Sequence, residues 1–200
     1  MRETIKVVGT VTSRAFRVLW ACEEMGVEYE WIAAAARSDE AKAINPTGKI
    51  PALLVNDTLL TDSVAIMTYL ADKHADLTYP AGTLERAQQD AHMNFILDEM
   101  DAVLWMAAKH SFILPETLRV PEVKNSLRAE FATSIERLEQ RIKGPFLMGE
   151  RMTIADILAV HCLNWAISAK MAVENQTVDA YAKRLRARDA FKRVRALANT

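Results

Sequence analysis

Residues 45–66, Asn-Pro-Thr-Gly-Lys-Ile-Pro-Ala-Leu-Leu-Val-Asn-Asp-Thr-Leu-Leu-Thr-Asp-Ser-Val-Ala-Ile, constrain the fold more than any other stretch of this chain. Two short β-rich runs, Ala52 to Val55 and Thr58 to Thr61, flank the polar pair Asn56-Asp57. Such a pattern predicts a β-hairpin. Pro51 stands at the entrance of the first strand, where its missing N–H costs no ladder bond. Asp62 and Ser63 follow the second strand, and then Val64, Met67, Leu70 and Ala71 recur at helical spacing. Ser63 is the expected helix N-cap. Taken singly these are ordinary turn and cap residues. Together they also suit a site for a small peptide-like ligand. Pro51 leaves the backbone of Ile50 free to pair with an extended ligand, and a helix start offers N–H groups and partial positive charge to a carboxylate.

The chain before this stretch reads as a βαβ unit. Ile5 to Val8 is a short apolar run, Gly9 to Ser13 a loop of small and hydroxyl residues, and Arg14 to Met25 a helix closed by Gly26. Glu28 to Ala33 suits a second strand, parallel to the first. Ser38 to Ile44 is a short helix. The order βαβ–α–ββα is that of a thioredoxin-like domain, placed at residues 1–76.

Residues 77–83, with Pro80 and Gly82, read as a linker. From residue 84 to residue 200 no strand is expected. Leu84 to Phe112, Pro121 to Lys143, Thr153 to Met171 and Val178 to Ala198 carry helical patterns, so this part is all-α. Thr153-Ile-Ala-Asp156 is a capping box with Asp for the usual Glu, and Met152 with Ile157 sits at the positions of a hydrophobic staple. Lys183 to Arg195 holds seven basic residues and one acid, Asp189. Leu185, Phe191, Val194 and Leu197 supply an opposite apolar face, so a solvated helix face is favoured over a nucleic-acid patch. Asp189 is a possible N-cap of the last helix.

Bulk properties agree. Half of the 200 residues are apolar and the net charge is −1, which advertises neither nucleic acid nor an anionic membrane. No signal peptide and no bilayer-spanning run are read. Cys22 and Cys162 lack paired spacing, so a reduced, cytoplasmic protein is expected. His74, His92 and His161 have no partners at metal spacing, and no metal is expected.

The motif Asn45-Pro-x-Gly-Lys-Ile-Pro-x-Leu, the hairpin, and then Asp62-Ser-x-Ala-Ile-x-x-Tyr-Leu resemble the cytosolic glutathione transferases. Phe146 to Asp156 resembles the same family's helix-capping motif, so the resemblance spans nearly the whole chain. It implies an α/β thioredoxin-like N-terminal domain, an all-α C-terminal domain, a homodimer and a role in detoxification. The implied reaction joins the thiolate of glutathione, a co-substrate, to a small hydrophobic electrophile. It further implies a cis Ile50–Pro51 bond, with the Ile50 backbone pairing with the cysteinyl part of glutathione.

The resemblance also assigns roles. Ser13-Arg-Ala-Phe-Arg-Val-Leu-Trp20 is similar to the first-helix entry of bacterial members, where a Ser, Tyr or Cys touches the glutathione sulfur. Ser13 ranks first for that contact and Thr12 second; read without the resemblance, both are cap hydroxyls. Lowering a thiol pKa by about two units takes roughly 2.7 kcal/mol of thiolate stabilisation. One hydroxyl bond to a charged group gives about 1.5–3 kcal/mol, and a helix N-terminus roughly 0.3–2. No metal or general base is required. The loop has no Tyr or Cys, which argues against Tyr-type and thiol-reductase classes. Cys22 reads as core.

Ser63 and Asp62 would hold the γ-glutamyl end, and Lys49 either pairs with the glycyl carboxylate or is a solvated loop lysine. Trp105, Met106, Lys109, His110 and Phe112 are candidates for the electrophile pocket, although such a stripe on a helix is more often core. Two further readings remain at this stage. One is a non-catalytic member acting as a ligand-binding or protein-interaction module, and the other a glutathione-dependent reductase or isomerase.

Overall fold

A computed structural model describes residues 3–199. Its packing divides the chain into two units. One comprises the residues up to Pro80 together with those from Arg186 onward, and the other Ala81–Leu185. The sequence expectation of a helical domain running from 84 to 200 therefore differs at its end, where the last helix joins the first unit.

The first unit holds strands β1 (Ile5–Val8), β2 (Glu30–Ile32), β3 (Ala52–Val55) and β4 (Thr58–Thr61) in the order β2-β1-β3-β4. β1 and β2 pair in parallel, as a βαβ crossover requires, and the other two pairings are antiparallel. Val7 faces Leu53, and Leu53 faces Leu60. Helix α1 (Ala15–Met25) ends where Gly26 takes φ 64 and returns its N–H to the Cys22 carbonyl. Helix α2 (Asp39–Ile44) is capped by Ser38, which accepts from the Ala41 N–H at 3.2 Å. Val8, Ala34, Ala41 and Ala52 form a small-residue core with Ile32, Ile44, Ile50 and Leu59 against it.

Helix α3 (Ser63–His74) starts one residue earlier than the sequence suggested. Asp62 is its N-cap, accepting from the N–H groups of Val64 and Ala65 at 2.8 and 3.1 Å, while Ser63 is the first helical residue. A carboxylate outcompetes a hydroxyl for these two donors because the bonds are charge-assisted. The final helix, labelled α9 (Asp189–Ala196), lies on α1. Phe191 meets Phe16 and Trp20 edge-on, with ring centroids 5.2 and 4.9 Å apart. Its cap is Arg188, so Asp189 occupies the first helical position and is not the N-cap. Arg188 pairs with Glu24 at 2.7 Å and Arg193 with Glu23 at 2.5 Å. Two of the basic tail residues thus answer acids of α1.

The second unit is helical. α4 (Leu84–Phe95), capped by Thr83, continues through a π-helical segment (Ile96–Asp101) into α5 (Ala102–Ala108) and a second π segment (Lys109–Ile113). The sequence predicts one regular helix here. The first widening coincides with an inserted side chain, since the Ser134 hydroxyl donates to the Glu99 carbonyl at 2.8 Å. α6 (Val123–Arg141), α7 (Ile154–Ser168) and α8 (Gln176–Arg186) complete the order; all but the end of α8 belongs to this unit. Thr153 and Asp156 form the expected capping box. The buried Asp156 carboxylate also accepts from the Leu147 N–H at 2.9 Å and the Tyr181 hydroxyl at 2.8 Å. Among the described residues, no helix is long and apolar enough to cross a membrane.

Candidate glutathione site

Three backbone features mark the segments that carry the predicted residues of the first unit. The first is Gly9, which ends β1 at φ 138. A Cβ there would lie 2.7 Å from the Ala15 Cβ and 3.2 Å from the Ile50 Cβ. The loop carrying Ile50 and the start of α1, next to Ser13, therefore converge on a residue that has to lack a side chain. The second is the Ile50–Pro51 peptide bond, which is cis. The third is Asp62 at φ 70, where a non-glycine residue costs about 1–3 kcal/mol; such outliers gather at functional sites.

Asn45 fixes the loop that leads to Ile50. Its side-chain N–H donates to the Lys49 carbonyl at 2.8 Å, and its oxygen accepts from the Thr47 N–H and hydroxyl at 3.2 and 2.9 Å. Asn45 is buried, so these bonds are exchanged for no bulk water. Lys49 itself is exposed.

The hydroxyls of the first loop are arranged locally. Ser13 donates to the Thr10 carbonyl at 2.7 Å and accepts from the Ala15 N–H at 3.1 Å. To donate to a sulfur, Ser13 has to release Thr10. That carbonyl keeps the Ser13 backbone N–H at 3.0 Å, so the swing gives up one bond of about 0.5–1.5 kcal/mol. Thr12 is exposed, and its hydroxyl shares a proton with that of Thr10 at 3.2 Å. If Thr10 is the donor in that pair, Thr12 can donate outward with no rearrangement.

Asp62 changes what the start of α3 can offer. Two amides expected to meet a ligand carboxylate, those of Val64 and Ala65, are already bonded to it. The Ser63 hydroxyl then becomes the prominent side-chain donor there. It accepts from Arg17 Nη1 at 3.2 Å. Sequence reading assigned Arg17 no role of its own. Its signal was a charge among apolar neighbours on α1, and it is buried to 1% exposure.

The five residues expected around an electrophile lie in the second unit along the continuous run from α4 to the second π segment. Trp105 is 36% exposed and Phe112 66%. Met106, Lys109 and His110 are half-buried. His110 Nδ1 accepts from the Val120 N–H at 3.0 Å, so only Nε2 is left to carry a proton to a ligand. An open hollow of about 570 Å³ on this unit is lined by Asn94, Phe95, Leu97, Asp98 and Ala102, none of them among the five. Cys22 and Cys162 are both buried. Burial, with Glu23 beside it, pushes the Cys22 thiol up to about 12, which removes it as a nucleophile. Among the described residues, no group of three His, Cys, Asp or Glu side chains could hold a metal ion.

Residues 13–73 match the family profile described as the glutathione S-transferase N-terminal domain, and residues 100–196 the C-terminal domain of the same family. Glutathione S-transferase GstA of Escherichia coli O157:H7 is 32% identical over 152 residues, 74% of this chain and 72% of that protein. The chain belongs to the glutathione S-transferase family. Human glutathione S-transferase theta-1 is 30% identical over 159 residues, 72% of this chain and 66% of the relative. A ternary complex of BphK, a bacterial glutathione transferase, superposes with a TM-score of 0.85 at 22% identity, covering 98% of this chain and all of that one, which attests the fold. The chain is thus a member of a transferase family, with a four-stranded mixed sheet followed by a helical unit.

Proposed function

We propose that this glutathione transferase is catalytically active and joins the sulfur of glutathione to a small hydrophobic electrophile. The observation that carries the reading is the convergence at Gly9, where the Ile50–Pro51 loop and the first turn of α1 meet beside Ser13. An extended peptide-like ligand pairs with the Ile50 backbone through its cysteinyl part. Its γ-glutamyl carboxylate takes the Ser63 hydroxyl, its ammonium faces Asp62, and its glycyl carboxylate faces Lys49. The sulfur then lies by the hydroxyl loop. Ser13 turns its proton from the Thr10 carbonyl to the thiolate, with Thr12 as second donor, and neither attacks. Trp105, Met106, Lys109, His110 and Phe112 are the proposed contacts of the electrophile. The protein acts as a homodimer in the cytoplasm, in detoxification.

Calorimetric titration with glutathione tests this, combined with the ultraviolet thiolate signal of the bound thiol. The wild type binds in the millimolar range or tighter and lowers the thiol pKa. Ser63→Ala weakens binding by about tenfold, the loss of one hydrogen bond to a charged group. Ser13→Ala still binds but leaves the thiol pKa near its free value, whereas Thr12→Val moves it less. A wild type that ignores millimolar glutathione overturns the proposal and leaves a non-catalytic binding module. Sedimentation at micromolar concentration tests the dimer.

A further inference from the structure

The Ser63 hydroxyl has one proton and two lone pairs, and a guanidinium has only donors. Arg17 Nη1 lies 3.2 Å from Ser63 Oγ, so Arg17 gives the hydrogen and Ser63 receives it. One lone pair of Ser63 is then spoken for, and its own proton has to point elsewhere. Both residues are nearly enclosed, at 1% and 3% exposure, so water does not compete for this bond. Asp62 meanwhile holds the Val64 and Ala65 amides. A carboxylate arriving at the start of α3 is thereby left to the Ser63 hydroxyl as its side-chain donor.

We infer that Arg17 is a positioning residue for glutathione: by donating to Ser63 Oγ from beneath, it fixes that hydroxyl as an outward donor to the γ-glutamyl carboxylate. This rests on the glutathione reading above. Arg17 does not touch the ligand and acts through Ser63. A free serine hydroxyl samples several rotamers and can turn its lone pairs toward an arriving anion. The guanidinium removes that choice before the ligand binds, and binding is tighter because less freedom remains to be lost. The charge of the guanidinium also polarises the O–H, which strengthens its bond to an anion. A plain tie between α1 and α3 would stabilise the fold without any of this.

A double-mutant cycle on glutathione affinity separates the two. Arg17→Gln and Ser63→Ala are measured singly and together by calorimetry. Each single variant weakens binding by about tenfold, and the double variant is no weaker than Ser63→Ala alone, because Arg17 has nothing left to position. Losses that multiply, or an Arg17→Gln protein that binds like the wild type, overturn the inference. If the wild type fails to bind glutathione at all, it is the glutathione reading that fails. If Arg17→Gln does not fold, the wild type labelled with ¹⁵N at arginine answers instead. The slowly exchanging guanidinium signal of buried Arg17 shifts as glutathione saturates the protein, and a signal that stays in place overturns the inference.

Discussion

A methyl group on Gly9 would meet the Ala15 Cβ at 2.7 Å, closer than side-chain carbons approach one another, in a backbone conformation at φ 138 that side chains avoid. Gly9→Ala should therefore do two things. It lowers stability by about 2–4 kcal/mol, from backbone strain and overpacking together. It also parts the Ile50 loop from the start of α1, so glutathione affinity falls further than the stability loss alone predicts. Denaturant unfolding and calorimetry on the same sample check both. Gly26→Ala is the control: it too has positive φ, but its Cβ would meet nothing within 4 Å, so it should cost stability and spare binding. The sequence shows a glycine between strand and loop, yet nothing in it tells a crowded glycine from an open one. That distinction belongs to residues six and more than forty positions away.

Elements were legible where local chemistry decides them. The hairpin of β3 and β4 lies at the residues its two β-rich runs and the Asn56-Asp57 turn predict, and Gly26 ends α1 as a C′ glycine should. The first π segment was not legible, because its disturbance comes from another helix: Ser134 of α6 bonds Glu99 across 35 positions. The Thr153 box was visible, but its extra partners Leu147 and Tyr181 were not. Asp156→Asn should turn part of an acceptor into a donor facing donors, at about 1–3 kcal/mol for each bond left unmet. Thermal unfolding against Asp156→Glu, which keeps the charge, tests whether the acceptor count matters. A second expectation concerns α4. His92 is half-buried with Arg141 and Lys143 nearby, and burial first, then these two charges, lower its pKa. The unfolded chain therefore takes up this proton at a higher pH than the folded one. His92 supports the fold above the ordinary histidine range, and that support is lost as pH falls from there through its own lower value. Equilibrium unfolding of His92→Phe between pH 5 and 8 should show a flatter acid limb than the wild type. An identical slope would refute it.

At the scale of the whole molecule, the first unit is closed by the last helix. Phe191 stands against Phe16 and Trp20, and Arg188 and Arg193 meet Glu24 and Glu23, so a site proposed on residues 9–63 has its supporting helix α1 held from the far end of the chain. The apolar face of this tail was visible in sequence, but which unit it covers was not, because an amphipathic pattern names a buried side and no partner. Phe191→Ala removes a ring that fills space against two others, and a loss of about 3–5 kcal/mol is expected if the cavity stays open. Arg193→Gln should cost less, about 0–1 kcal/mol, because that pair keeps solvent contact on both sides. Arg188→Gln should cost more than Arg193→Gln, because it strands the Glu24 carboxylate, whose side chain is only 6% exposed. If the aromatic contact supports the site through α1, Phe191→Ala also weakens glutathione binding at temperatures where the protein is still folded. Calorimetry at 10 °C, beside circular dichroism to confirm the folded state, makes the comparison. Retained affinity with lowered stability would confine the last helix to a role in folding.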